Sequence, residues 1–189
     1  MIYGKYKQSR NASWETLIDF GVTSLPVIPL DICKQAGIKV YRDSDAKILT
    51  GSQIGLAFYS NGSFRVIIDD SQILTRRRFT LAHELGHIML GHLLVDSSYG
   101  RVFDISKPEI ERQADVYASR LLAPACVLWG LNLHTPQEIA EACNISMQAA
   151  TIRAERMEVL YKRNMFLSHP LERQVYENFR EYIETNKKA

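Results

Sequence analysis

Apolar residues follow two rhythms along this chain. Residues 54–59 and 64–68 form two β-rich apolar runs on either side of Asn61-Gly62. Both turn residues tolerate positive φ, so the pair predicts a hairpin with a two-residue turn. Ile38-Lys39-Val40-Tyr41 predicts a further short strand. From Leu74 onward the spacing changes to threes and fours: Leu74, Leu81, Leu85, Ile88 and Met89, with the stem of Arg78 completing the stripe. That period predicts one long helix over about residues 75–93. Helical patterns also cover residues 13–21 and 29–36, the second closed by Gly37 in the usual C-terminal place. Another helix starts at Pro108, with acids crowding its first turn and Ile110, Ala114, Tyr117, Ala118, Leu121 and Leu122 as its apolar face. Beyond Pro124, residues 136–143, then Asn144-Ile145, then 146–160 with Ser146 as N-cap, resemble a helix-turn-helix. A last helix over 171–185 presents Leu171, Val175, Phe179, Tyr182 and Ile183 on one side. The expected architecture is α+β, mainly helical, with a small sheet beside the long helix.

The centre of that helix carries the chemistry. His83-Glu84-Leu85-Gly86-His87 places two imidazoles four residues apart, on one helical face. Both can reach one Zn²⁺ at about 2.0–2.1 Å, with Glu84 beside the position of a water to be activated. The plainer reading, a solvated helix that happens to hold two histidines, leaves Gly86 unexplained. Glycine in mid-helix costs about 1 kcal/mol relative to alanine, so something must come close there.

A catalytic zinc needs three protein ligands and one open position. Glu111 shares the packed face of the following helix with Ala114, Asp115 and Ala118, where a carboxylate is expensive unless paired or bound to metal. Glu109 points elsewhere and reads as a first-turn acid facing water. Glu111 is therefore the expected third ligand. The small Ala114 and Ala118 would let this helix approach the Gly86 side of the first. Asp115 reads equally as the carboxylate that orients a ligand histidine or as a surface acid paired with Arg112 or Ser119.

These residues together resemble the ImmA/IrrE family of zinc metallopeptidases. The resemblance lies in His83-Glu84-Leu85-Gly86-His87, in Glu111-Arg112-Gln113-Ala114-Asp115-Val116-Tyr117-Ala118 and in Leu121-Leu122-Ala123-Pro124. Tyr117 stands where the family more often has Phe. The resemblance runs from about residue 25 to 160, and its specific motifs lie within 80–124. It implies a zincin-like fold, one zinc per chain on His83, His87 and Glu111, and Glu84 as base. The Glu111–Asp115 spacing is also similar to that of thermolysin-like gluzincins. The implied substrate is a helix-turn-helix repressor or an antitoxin, in phage or mobile-element regulation or a stress circuit.

Composition narrows the setting. The 189 residues suit one metallopeptidase domain over 1–165, including the helix-turn-helix-like helices, followed by a helical tail over 166–189. The net charge of +2 is too close to balance to argue for nucleic acid. Cys33, Cys126 and Cys143 have no Cys-x-x-Cys spacing and read as small buried hydrophobes in a reducing compartment. The basic start, Met1 to Lys7, is not followed by an apolar leader segment, and no run is long enough to span a bilayer. The expectation is a cytoplasmic protein without a membrane partner, in which the three Asn-x-Ser matches are accidental.

The expected reaction is peptide hydrolysis, in which Glu84 takes a proton from a zinc-activated water and returns it to the leaving nitrogen. Candidate oxyanion donors are Tyr117, Arg153 and His134, although Tyr117 reads first as core. His92, five residues past His87, falls off the ligand face of a continuing helix. The competing function is a DNA-binding regulator with a silent or structural zinc. Its reading helix would offer Gln148, Thr151, Arg153 and Arg156, diluted by Glu141, Glu155 and Glu158. A structural zinc wants a closed fourth ligand, and no Cys or His stands at suitable spacing. The open, catalytic site is favoured.

Overall fold

The computed structural model describes residues 6–93 and 108–187. These divide into two compact units, one within 1–12 and 28–118, the other within 13–27 and 119–189.

In the first unit, β1 (Lys39–Arg42), β2 (Gly55–Ser60) and β3 (Ser63–Ile68) form one sheet in the order β1-β3-β2. β2 and β3 run antiparallel with Ser60 opposite Ser63, so Asn61-Gly62 alone makes the turn. Their φ values of 50° and 75° are those a two-residue hairpin requires. β1 runs parallel to β3, with Val40 opposite Val66. α1 (Lys7–Asp19) begins earlier than its sequence pattern suggests, and its first six residues belong to this unit. α2 (Pro29–Gln35) starts on its proline, and α3 (Asp43–Ala46) is a single turn after β1.

The metal-motif helix, α4 (Leu74–Met89), lies against β2 and β3. Its Leu81, Ala82 and Leu85 are buried, as are Ala57, Val66 and Ile67 of the sheet. α4 stops four residues short of the expected boundary at 93. Gly91 takes φ 72°, its N–H donates to the Ile88 carbonyl at 3.0 Å, and the His92 N–H donates to the His87 carbonyl at 2.9 Å. These paired closing bonds satisfy the last carbonyls and turn the chain back on the helix end. A continuing helix would instead have set His92 about 140° around the axis from His87.

α5 (Pro108–Leu122) contributes residues 108–118 to the first unit and 119–122 to the second. It crosses α4 at Gly86, where a β-carbon would meet Tyr117 Cδ1 at 2.9 Å and the Ala114 Cα at 3.3 Å. Glycine in mid-helix is explained by this crossing: the propensity lost is offset by close packing of two helices.

The second unit is helical among the described residues. It holds the end of α1, then α6 (Ala125–Gly130), α7 (Pro136–Cys143), α8 (Met147–Arg163), α9 (Pro170–Asn178) and α10 (Arg180–Asn186). α7 opens on a capping box between Thr135 and Glu138, and α8 on Ser146, whose hydroxyl accepts from the Ala149 N–H at 3.2 Å. Asn144, at φ 50°, makes the turn between them. The single helix expected over 171–185 is two, joined at Phe179. The Phe179 N–H is shared between the Val175 and Tyr176 carbonyls, and this small bend accompanies full burial of Val175, Phe179 and Ile183 at four-residue intervals.

Gly86→Ala tests the crossing. Overpacking against a buried ring and a backbone atom costs about 1–3 kcal/mol, partly offset by about 1 kcal/mol of helix propensity. The expected result is a fall in the thermal midpoint of up to about 8 °C, read by circular dichroism; a raised midpoint would contradict the packing.

Candidate metal centre

The four-residue spacing on α4 and the approach of α5 bring three side chains to one point. His83 Nε2 lies 3.1 Å from His87 Nε2 and 3.2 Å from Glu111 Oε2, and His87 Nε2 lies 3.4 Å from Glu111 Oε1. Ligands held tetrahedrally at about 2.0–2.1 Å from one zinc ion stand about 3.3–3.4 Å apart. The three separations match that spacing. Glu111 Oε1 is buried and accepts no hydrogen bond, which is costly for a carboxylate oxygen without a cation. Two imidazoles and a carboxylate also form a donor set suited to zinc. Among the described residues, His83, His87 and Glu111 form a group able to hold a metal ion.

Asp115, one turn beyond Glu111, has Oδ1 2.9 Å from His83 Nδ1. The His83 Nδ1–H donates to it, which directs the lone pair of Nε2 to the centre. Burial works against charge on His83, but this hydrogen bond and the nearby Glu84, Asp115 and Glu111 raise its pKa above the usual range. A cation at the centre competes with that proton for Nε2. His87 is almost fully buried; desolvation first, then the charges of His83 and His92, pushes its pKa down to about 3. Its imidazole is neutral at any physiological pH.

Glu84 sits between α4 and the sheet. Burial raises its pKa to about 7, against the opposing influence of His83 and of a hydrogen bond from the Ala57 N–H on β2. Such a carboxyl can take and return a proton near neutrality. Gly55, at the start of β2, makes room for it: a β-carbon there would fall 2.7 Å from Glu84 Oε1 and 2.5 Å from Thr80 Cγ2. Gly55 does not stand out in the apolar pattern of residues 54–59. Its signal is a glycine within a β-rich run, which often marks a close approach.

A model of the Peptidase_M78 family, described as the IrrE N-terminal-like domain, matches residues 33–155. The chain belongs to this family. No curated protein matches it. As an M78 peptidase it is a hydrolase that acts on protein, and a metal held by the His83–His87–Glu111 group fits that class.

The closing turn of α4 gives this M78 peptidase a neighbour for His87 that a continuing helix would not. His92 Nδ1 lies 3.1 Å from His87 Nδ1, and His92 Nε2 lies 3.0 Å from Gln113 Oε1 on α5. Helical spacing alone leaves His92 off the ligand face and gives Gln113 no role; the Gly91-His92 pair at the helix end is the available signal. Of the suggested oxyanion donors, Tyr117 is fully buried with its ring against Gly86. Arg153 and His134 belong to the second unit. Arg153 is buried there, and desolvation lowers its pKa to about 10. His134 is exposed, stacked on Tyr161 with ring centroids 4.9 Å apart, its Nε2 2.9 Å from Asn132 Oδ1.

The metal content of the purified protein tests the centre. The unaltered chain should carry about one zinc per molecule, and Glu111→Ala should lose most of it on dialysis, because two histidines alone form a poor site. Full retention in the variant, measured by elemental analysis, would move the third ligand elsewhere.

Proposed function

We propose that this M78 peptidase is a zinc-dependent endopeptidase that cuts a regulatory protein. The observation that carries the reading is the convergence of His83, His87 and Glu111 at tetrahedral separations with Glu84 in the adjoining turn. His83, His87 and Glu111 would hold the metal. When bound, zinc supplies Lewis acidity, acidifying water towards a pKa of about 7 and polarising a peptide carbonyl. Glu84 takes the proton of the attacking water and delivers it to the leaving nitrogen. Its burial keeps the carboxyl basic enough for the first transfer and acidic enough for the second.

The sheet supports an extended substrate. Among the described residues β2 is an edge strand, and the Ile54 carbonyl accepts from the Asp69 N–H on the β3 side at 2.9 Å. Strand alternation then directs the backbone groups of Gly55, Ala57 and Tyr59 to the open edge. The Ala57 N–H already reaches Glu84, so that edge runs past the proposed base. A peptide added to β2 would present a carbonyl beside Glu84, held by main-chain hydrogen bonds that ignore side-chain identity.

The regulatory protein we propose as substrate is a helix-turn-helix repressor or an antitoxin, encoded nearby. This rests on the resemblance to ImmA/IrrE proteins. We place the reaction in the cytoplasm; free Cys33, Cys126 and Cys143 suit a reducing compartment, and no described helix is long and apolar enough to cross a membrane. The DNA-reading alternative loses support where Arg153 lies in the core, although Gln148 and Thr151 are exposed.

Two variants test the chemistry with the neighbouring gene's product as substrate. Glu84→Gln should retain zinc and fold while cleavage falls by about 10²–10⁴-fold; equal cleavage by the variant would end the peptidase mechanism. Gly55→Ala should displace Glu84 and lower kcat by up to about 10²-fold, with KM and zinc content little changed. An unchanged kcat would show that the contact between β2 and Glu84 does not matter to the reaction.

A further inference from the structure

His83 and His87 face the same centre, yet they are oriented by different means. His83 donates to the half-exposed carboxylate of Asp115. His87, 1% exposed, meets another imidazole, His92, itself 9% exposed. Two facing nitrogens 3.1 Å apart require one donor and one acceptor. Which is which decides whether His87 can bind a metal.

We propose that His92 and Gln113 are positioning residues that lock His87 in the Nδ1–H tautomer, so that its Nε2 lone pair is available at the metal centre. The proposal rests on the reading of His83, His87 and Glu111 as ligands. Gln113 presents Oε1 to His92 Nε2 at 3.0 Å. An amide oxygen only accepts, so the proton of neutral His92 is on Nε2 and its Nδ1 is an acceptor. His92 Nδ1 therefore takes the N–H of His87 Nδ1, and His87 Nε2 is left bare. With the Gln113 amide reversed, each proton would move to the other side. His92 would donate from Nδ1, and His87 would carry its proton on Nε2, where it blocks coordination. One amide on α5 thus sets a proton two imidazoles away.

Placement of His92 depends on the end of α4. The left-handed Gly91 and the His92 N–H bond to the His87 carbonyl bring the ring back beneath His87. The rings are tilted at 65° with centroids 5.1 Å apart, so they meet through nitrogen rather than by stacking. A neutral relay also has an electrostatic reason. A carboxylate at the position of His92 would bury an anion behind an almost fully buried imidazole, at high desolvation cost. An imidazole that passes the demand to an amide orients His87 without adding charge. α5 supplies Glu111 as ligand and both outer acceptors, Asp115 for His83 and Gln113 for His92.

The test uses the full chain, with zinc affinity measured by competition against a chromophoric chelator. Ring nitrogens are assigned in the metal-free protein by long-range ¹H–¹⁵N NMR. Gln113→Leu and His92→Phe should each weaken zinc about 10–100-fold, the usual effect of losing a partner behind a metal ligand. Gln113→Glu offers only acceptors and should bind zinc as tightly as the unaltered protein or more so, which a merely structural role for Gln113 would not predict. In the unaltered metal-free protein His87 should be protonated on Nδ1; in Gln113→Leu the two tautomers should mix. Protonation of His87 on Nε2, or a Gln113→Glu variant as weak as Gln113→Leu, would overturn the proposal. If the unaltered protein bound no zinc, the reading of the metal centre would fall and the proposal with it. If it bound zinc and Gln113→Leu bound it equally tightly, the proposal alone would fall.

Discussion

Two helices meet at Gly86 with no room for a β-carbon, and the site depends on that approach. Ala114 and Tyr117 of α5 fill the space a side chain would take on α4. This proximity puts Glu111 within 3.4 Å of two imidazole nitrogens that α4 already holds on one face. Three electron-rich groups do not gather without a cation unless the scaffold compels them. Burial of Leu85, Ala114 and Ala118 supplies the packing that holds the three groups together.

Each candidate ligand histidine has a partner behind it. Asp115 orients His83, and the His92–Gln113 pair stands behind His87. Glu84 accepts from the Ala57 backbone. The sheet therefore shapes the surroundings of Glu84 as well as the core: β2 hydrogen-bonds the carboxylate, and Gly55 leaves it space. Low polarity at the same place raises the Glu84 pKa to about 7, so the packing that buries the carboxyl also sets its proton affinity.

The helix-turn-helix pattern in the second unit has a different balance. α7 and α8 are capped and packed in the expected way, yet α8 turns Arg153 into the core and leaves the apolar Met147 and Ile152 exposed. A reading helix for nucleic acid would present its arginines outward, where phosphates are. Spacing alone predicted the two helices; only burial distinguished which residue types face water.

Local rules were enough for much of this protein. The Asn61-Gly62 hairpin, the apolar period of α4, the Pro108 start of α5 and the Ser146 cap of α8 follow from backbone preference and amphipathic pattern, which act over a few residues and are written in adjacent letters. His83, His87, Glu111 and Asp115 were legible because helical geometry converts spacing into a common face, and because a carboxylate on a packed face needs a partner. Gly86 was legible as a position of close approach, but not which atoms would come there. What the sequence could not convey is where the chain reverses. α4 stops at Met89 because Gly91 adopts a left-handed turn, and that choice brings His92 to His87 instead of to the far side of a longer helix. Gln113, Gly55 and Ala57 acquire their neighbours only when α5 and β2 dock on α4. Tertiary packing decided these contacts, because they join residues distant in sequence and depend on ångström-scale separations that no local pattern records.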